Sequence, residues 1–255
     1  MVKIYAISDI HGYLNEFIDA LNKIDLSDRE NRLILLGDYI DNGSQSFQVI
    51  SKIIELEKIY PKQIITLFGN HEEWFYDWLI LDNPTASAFP ETIKSFFSPE
   101  ELNYILKSNP NNFETGVRNE IRNNDKYIPF INWFQKRYED SRYFETENQI
   151  FVHAGIDEEA NNLWKDLTSP EIFTNKFPIT TGRFYKDIIS GHFASWEVAK
   201  DKSYLGKIYH DNKSHYFIDG DVKNSKTIPV ICYDTVKKSY QYSKNTSLLP
   251  KKFDR

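Results

Sequence analysis

Along the first seventy residues, short unbroken apolar runs alternate with stretches in which apolar residues recur every three or four positions. Residues 2–7 (Val2, Ile4, Ala6, Ile7) form the first run, 32–36 (Leu33, Ile34, Leu35, Leu36) the second and 63–68 the third. Runs this continuous suit strands buried on both faces rather than a sheet wetted on one side. Between them, Leu14, Phe17, Ile18, Leu21 and Ile24 follow helical spacing, as do Phe47, Ile50, Ile53 and Ile54. Ser44 is the expected N-cap of the second helix, and Pro61 marks its end. Strand, helix, strand, helix, strand with short connections predicts an α/β fold with right-handed crossovers and a largely parallel sheet.

Residues 74–145 break this rhythm. They are rich in Trp, Phe, Tyr, Asn and Pro and show no strand pattern. Pro84, Pro90, Pro99 and Pro110 punctuate short helices, and a steadier helix is expected over 127–138 around Ile128, Ile131, Trp133 and Phe134. The segment reads as a mostly helical insertion over one side of the sheet opening, which could shape substrate access; the default reading of its aromatics is a small satellite core. Strand patterns resume at 149–152 and 187–190, then at 207–210, 215–218, 230–233 and 239–242, where short polar connections suggest antiparallel hairpins. The tail 250–255 is expected to fray. With no repeat and no low-complexity linker, one domain over 1–255 is expected.

Composition narrows the class. A chain of 255 residues, 40% hydrophobic and 27% charged, describes a globular protein with room for a full core. No apolar run approaches the roughly 18 residues of a membrane span, and the opening residues read as a strand rather than a signal peptide. The single cysteine, Cys232, excludes an internal disulfide and fits a cytoplasmic location. Its apolar surroundings (Val230, Ile231) make it a buried structural thiol. A net charge of −6, from 31 basic and 37 acidic residues, leaves no electrostatic footprint for nucleic acid.

The polar residues that stop the apolar runs carry the chemistry. Five predicted strands end in potential ligands beside glycine: Asp9 and His11 before Gly12, Asp38 and Asp41 between Gly37 and Gly43, Asn70 and His71 after Gly69, His153 before Gly155, and His192 after Gly191. In an open α/β sheet the loops at the carboxyl ends of the strands converge on one crevice. A lone histidine at a strand end is usually structural, but four of the six in this chain occupy such positions. The other two, His210 and His215, flank a turn and read as surface residues. Mixed carboxylate, amide and imidazole donors suit Mn, Fe or Zn better than Mg or Ca.

Taken in order, Asp-X-His-Gly, Gly-Asp-X-X-Asp-X-Gly, Gly-Asn-His-Glu, His-Ala-Gly and Gly-His resemble the motifs of the calcineurin-like metallophosphoesterases. The closer resemblance is to the bacterial branch of the Ser/Thr phosphoprotein phosphatases, near the symmetrical diadenosine tetraphosphatases, over about 2–73 and 128–192. It implies a four-layer α/β/β/α sandwich of two mixed β-sheets flanked by helices. It further implies that Asp9 and His11 bind one metal, that Asp38 bridges to a second, and that Asn70, His153 and His192 complete the pair. Two divalent or trivalent transition-metal ions (Mn, Fe or Zn) would then activate a hydroxide for in-line attack on phosphorus. His71, oriented and kept charged by Asp41, would protonate the leaving group. The expected substrate is a phosphorylated protein or small phosphomonoester, with dinucleoside polyphosphates as the alternative. A catalytically weak scaffold is the alternative of another class. Tyr39, Trp74, Phe75 and Phe193 are the aromatics that could stack on a nucleobase.

The chain departs from the family pattern at the phosphate. Relatives carry arginine after the second aspartate of the Gly-Asp motif, where this chain has Asn42; Phe68 stands where a basic residue often precedes Gly-Asn-His-Glu, and Phe193 where Thr is common. A Trp-X-Arg stretch survives only as Trp164-Lys165-Asp166. An amide cannot replace a fork of charged donors. Each charge-assisted hydrogen bond lost, at about 1.5–3 kcal/mol, weakens binding by one to two orders of magnitude. Asn42 is therefore expected at the substrate phosphate, with Arg183 the first candidate to supply the missing cation and Lys165, Arg118 and Arg122 weaker ones.

Overall fold

The computed structural model describes residues 2–83, 89–140 and 142–242; Pro84 and the tail 250–255 lie outside the described residues. The N-terminal half runs β1 (Lys3–Ile7), α1 (Leu14–Leu21), β2 (Arg32–Leu35), α2 (Ser46–Ile59), β3 (Ile64–Thr66), α3 (Asn70–Leu79), α4 (Pro90–Phe96), α5 (Pro99–Ser108), α6 (Phe113–Asn123) and α7 (Ile128–Glu139). The rest runs β4 (Tyr143–Glu145), β5 (Gln149–Val152), α8 (Trp164–Leu167), α9 (Pro170–Asn175), β6 (Asp187–Ala194), α10 (Ser195–Ala199), β7 (Tyr209–His210), β8 (His215–Asp219), α11 (Val222–Ser225), β9 (Ile231–Asp234) and β10 (Ser239–Tyr242).

The strand order is β10-β9-β1-β2-β3 in the first sheet and β4-β5-β6-β8-β7 in the second. Each has a parallel centre, β1-β2-β3 and β5-β6-β8, with antiparallel strands outside it. Side-chain alternation explains why the apolar runs are unbroken. Tyr5, Ile7, Leu33 and Leu35 face a core shared with the helices, while Ile4, Ala6, Ile34 and Leu36 face the other sheet. In the second sheet Phe151 and Ile189 join that middle core, and Ile150, Val152 and Ile188 pack outward on Trp164 and Phe173. Helices, sheet, sheet, helices: the expected four layers are present.

Four local expectations are corrected. The aromatics of the insertion form no satellite core, because Phe89, Phe96, Phe130 and Phe134 join the same core as Tyr5 and Leu33. Its end holds a short strand, β4, which too few residues encode to show a pattern. The N-cap of α2 is Gln45 rather than Ser44, since Ser46 turns its hydroxyl to the Asp41 N–H. His215 is buried, not exposed: as the first residue of the interior strand β8 it sits between the Gly182 carbonyl (3.1 Å) and the carboxylates of Asp211 (3.3 Å) and Glu158 (3.4 Å). Among the described residues no helix is long and apolar enough to cross a membrane.

Candidate metal centre

At the carboxyl ends of β1, β2 and β6 the chain turns through left-handed backbone at residues that are not glycine: Asp9 (φ 55°), His11 (48°), Asp38 (57°), Asp41 (68°), Asn42 (63°) and His192 (67°). Each such turn costs about 1–2 kcal/mol and persists only where neighbours fix it. Here the β1 and β2 loops are laced together: Asp9 N–H donates to Gly37 O (3.1 Å), His11 N–H to Asp38 O (2.9 Å) and Gly12 N–H to Tyr39 O (2.7 Å). Two glycines leave room for carboxylates. A Cβ on Gly69 would fall 2.1 Å from Asp38 Oδ1, and one on Gly191 would fall 2.1 Å from Asp9 Oδ2.

Asp38 stands at the centre. It belongs to two groups of potential ligands, His11–Asp38–His71 and Asp38–His153–His192, whose donor atoms lie within 4.8 Å of one another. Backbone carbonyls fix the imidazole tautomers. His11 Nδ1–H donates to Ile40 O (2.8 Å), leaving Nε2 3.7 Å from Asp38 Oδ2. His153 Nδ1–H donates to Leu36 O (3.1 Å), leaving Nε2 3.4 Å from Asp38 Oδ1 and 3.0 Å from Asn70 Oδ1. Asn70 Oδ1 also lies 3.1 Å from His192 Nδ1. Burial holds His153 neutral, with its pKa near 3, and lowers those of His11 and His192. Lone pairs of neutral imidazoles thus face carboxylate oxygens with no proton between them. Cations satisfy that arrangement, and mixed N/O donors fit Mn, Fe or Zn.

The His71–Asp41 pair lies beside it. His71 Nδ1–H donates to Asp41 Oδ2 at 2.7 Å, and Nε2 faces the centre, 3.8 Å from Asp38 Oδ2. Burial alone would lower the His71 pKa, but the charges of Asp38 and Asp41 outweigh it and push the pKa up to about 9. The two carboxylates thus favour the imidazolium form of His71.

The structure brings His11, Asp38, Asn70, His71, His153, His192 and Asp41 together. Asp9 is buried in the same place, but its carboxylate is turned to the His192 N–H (3.2 Å to each oxygen) and joins neither ligand group. Asn42 is exposed beside Asp41. The candidate cations are not brought to the centre. Arg183 is exposed just before the amino end of β6, whose carboxyl half carries His192. Lys165 pairs with Glu145, and Arg118 and Arg122 both pair with Asp82. Of the four aromatics, Tyr39 and Phe75 are fully buried core residues. Trp74 stays 38% exposed with its ring 5.2 Å from His71, and Phe193 lies 4.7 Å from His192.

Two residues at the centre escaped sequence reasoning. Glu72, fully buried, accepts backbone N–H groups from Asp38 (2.7 Å), Tyr39 (2.8 Å), Gly69 (3.1 Å) and Ile40 (3.3 Å). Its place in Gly-Asn-His-Glu was the available signal. Thr92, from the insertion, donates to Asp41 Oδ1 at 2.5 Å, and nothing in its sequence neighbourhood marks it.

Residues 2–224 match the calcineurin-like phosphoesterase family, and the chain belongs to that family. Similar proteins include a PP2A-like Ser/Thr protein phosphatase of Candida albicans, 33% identical over 69 residues (27% of this chain, 16% of the relative). A symmetrical bis(5'-nucleosyl)-tetraphosphatase of Nitrosococcus oceani is 38% identical over 69 residues (27% of this chain, 23% of the relative). The matched stretch thus spans less than a quarter of either relative. Among solved structures, a Saccharomyces cerevisiae Ser/Thr phosphatase with similarity to human PP5 superposes with a TM-score of 0.53 at 11% identity, covering 97% of this chain and 81% of that one. That likeness establishes the shared four-layer fold.

Proposed function

We propose that the chain hydrolyses a phosphoprotein of the Ser/Thr type or a small phosphomonoester, with two transition-metal ions (Mn, Fe or Zn) as cofactors. The family supplies the class, a metal-dependent phosphatase. The observation that carries the reading is the His71–Asp41 pair beside a carboxylate, Asp38, common to two ligand groups. His11 and Asp38 would hold one ion, with Asp9 after a turn of its carboxylate; Asp38, Asn70, His153 and His192 would hold the other. Bound there, the ions would polarise the phosphoryl oxygens and make water a stronger nucleophile. The remaining work falls to the chain. As the water oxygen adds to phosphorus and the P–O bond to the alcohol breaks, His71 Nε2 gives its proton to the departing oxygen. Asp41 holds the ring by Nδ1 so that Nε2 points at that oxygen. The products are the alcohol and inorganic phosphate; the one proton that the water sheds passes to solvent, from which His71 is recharged. Trp74 and Phe193 edge the site, and Asn42 is exposed next to Asp41. The buried Cys232 suits a cytoplasmic location.

Elemental analysis together with an aryl-phosphate assay in Mn²⁺ tests the reading. Two metals per chain with turnover supports it. Two metals without turnover of any phosphoester points to a scaffold, and a metal-free protein that stays so in excess Mn²⁺ removes both site and mechanism. Comparing a phosphoserine peptide with diadenosine tetraphosphate then separates the two substrate classes named by the relatives.

A further inference from the structure

Asp41 is held from two sides. Oδ2 accepts His71 Nδ1–H at 2.7 Å, and Oδ1 accepts the Thr92 hydroxyl at 2.5 Å. Thr92 Oγ1 in turn accepts the Asp41 N–H (3.0 Å) and lies 3.2 Å from Ser46 Oγ, which accepts the same N–H (3.1 Å). With the Thr92 proton committed to Asp41, Ser46 donates to Thr92. An ordered chain results: Ser46 to Thr92, Thr92 to Asp41, and His71 to Asp41. Thr92 and Ser46 are fully buried. Water cannot replace the Thr92 hydroxyl, and without it Oδ1 would keep a lone pair with no donor.

The hydroxyl comes from outside the strand-end motifs. Thr92 lies on α4, in the insertion, and α4 is pinned to α2 by Ser95, whose Oγ accepts the Phe47 N–H (2.9 Å) and donates to Thr92 O (2.5 Å). Asp41 itself sits on left-handed backbone (φ 68°), a conformation that persists only where neighbours fix it. We propose that Thr92 is a positioning residue of the phosphatase reaction: through Asp41 it sets the direction of the His71 ring, so that the insertion completes the general acid. The inference rests on the reading of His71 as the acid that protonates the leaving group.

The test exploits leaving groups. An alkoxide needs a proton as it departs, whereas p-nitrophenolate departs with little help. Thr92→Val keeps the shape and removes the donor. In the metal-loaded enzyme it should lower kcat on a phosphoserine peptide by on the order of tenfold. On p-nitrophenyl phosphate kcat should fall by less than about twofold, with KM and metal content unchanged on both substrates. Thr92→Ser, which returns the hydroxyl, should restore the peptide rate. Equal losses on both substrates, or none, would overturn the proposal, since a merely structural defect does not distinguish leaving groups. If the valine variant does not fold, Thr92→Ala against Thr92→Ser makes the same comparison: a loss confined to the peptide supports the proposal, and equal losses or none overturn it. A wild-type enzyme that binds metals but turns over neither substrate would instead remove the phosphatase reading, which is a separate failure.

Discussion

The carboxylate of Glu72 accepts the backbone N–H of Asp38 at 2.7 Å. A residue of α3 thereby fixes the loop that carries Asp38, the carboxylate common to both candidate ligand groups, and Glu72 binds three further N–H groups. Buried donors left without an acceptor cost about 1–3 kcal/mol each. Glu72→Ala should lower stability by about 3 kcal/mol or more and deplete bound metal, although Glu72 is not a ligand. Urea denaturation and metal content per chain check this; full metal content at unchanged stability would refute it.

Ligand and acid roles part company under substitution. Asp38→Asn should lose metal and activity together, because Asp38 serves both ligand groups. His71→Asn should keep both ions while kcat falls by about two orders of magnitude or more. His71 also belongs to one ligand group, so its own metal content is the deciding number. Fewer than two ions in His71→Asn would make His71 a ligand.

Stability of the chelated protein should fall as pH rises from about 6.5 to 9. The His71 pKa, ordinarily 6.5, is pushed up to about 9 in the fold by Asp38 and Asp41 against the effect of burial. A group that holds its proton more tightly when folded contributes fully below its unfolded pKa, and that contribution disappears as pH passes the folded one. Glu72 adds to the same trend: burial, then the charge of Asp38, raises its pKa from 4.5 to about 8. Thermal melts in EDTA at pH 7, 8 and 9, above the range in which the lowered pKa values of His11, His153 and His192 act in the opposite sense, should show a falling Tm, with a shallower fall in His71→Asn. A flat profile in the parent chain would contradict the assignment.

Asn42→Arg should restore part of the missing clamp. Asn42 lies exposed next to Asp41, and one charge-assisted contact to phosphate would raise kcat/KM on p-nitrophenyl phosphate about tenfold. The backbone there is left-handed (φ 63°), which asparagine tolerates better than arginine, so a stability loss of about 1 kcal/mol should accompany the gain. No gain in kcat/KM would show that this loop does not reach the phosphate.

What could be read in the chain followed from periodicity and motif. Alternate facing of Ile4 and Tyr5, or of Ile34 and Leu35, explains why an unbroken apolar run signals a strand buried on both sides, and it located the central strands. The histidines that the structure gathers around Asp38 stood out in the sequence because each lies at a strand end close to glycine. Thr92 and the buried ring of His215 were not, since both depend on contacts with residues far away in the chain: Asp41 is 51 positions from Thr92, and Glu158 is 57 from His215. Arg183 shows the opposite error. Nine positions before His192 is close in sequence, but an extended strand carries those residues to opposite ends of the sheet.

His11, Asp38 and His71 follow strands of the first sheet, whereas His153 and His192 belong to the second. A cation shared by Asp38, His153 and His192 would therefore rivet the two halves of the sandwich, adding to the apolar packing and to the His153–Leu36, His192–Asp9 and Tyr240–Asp187 hydrogen bonds that already cross the seam. Loading the centre would then act on the molecule mechanically as well as chemically, slowing the opening of the seam from one end in the way a cross-link does.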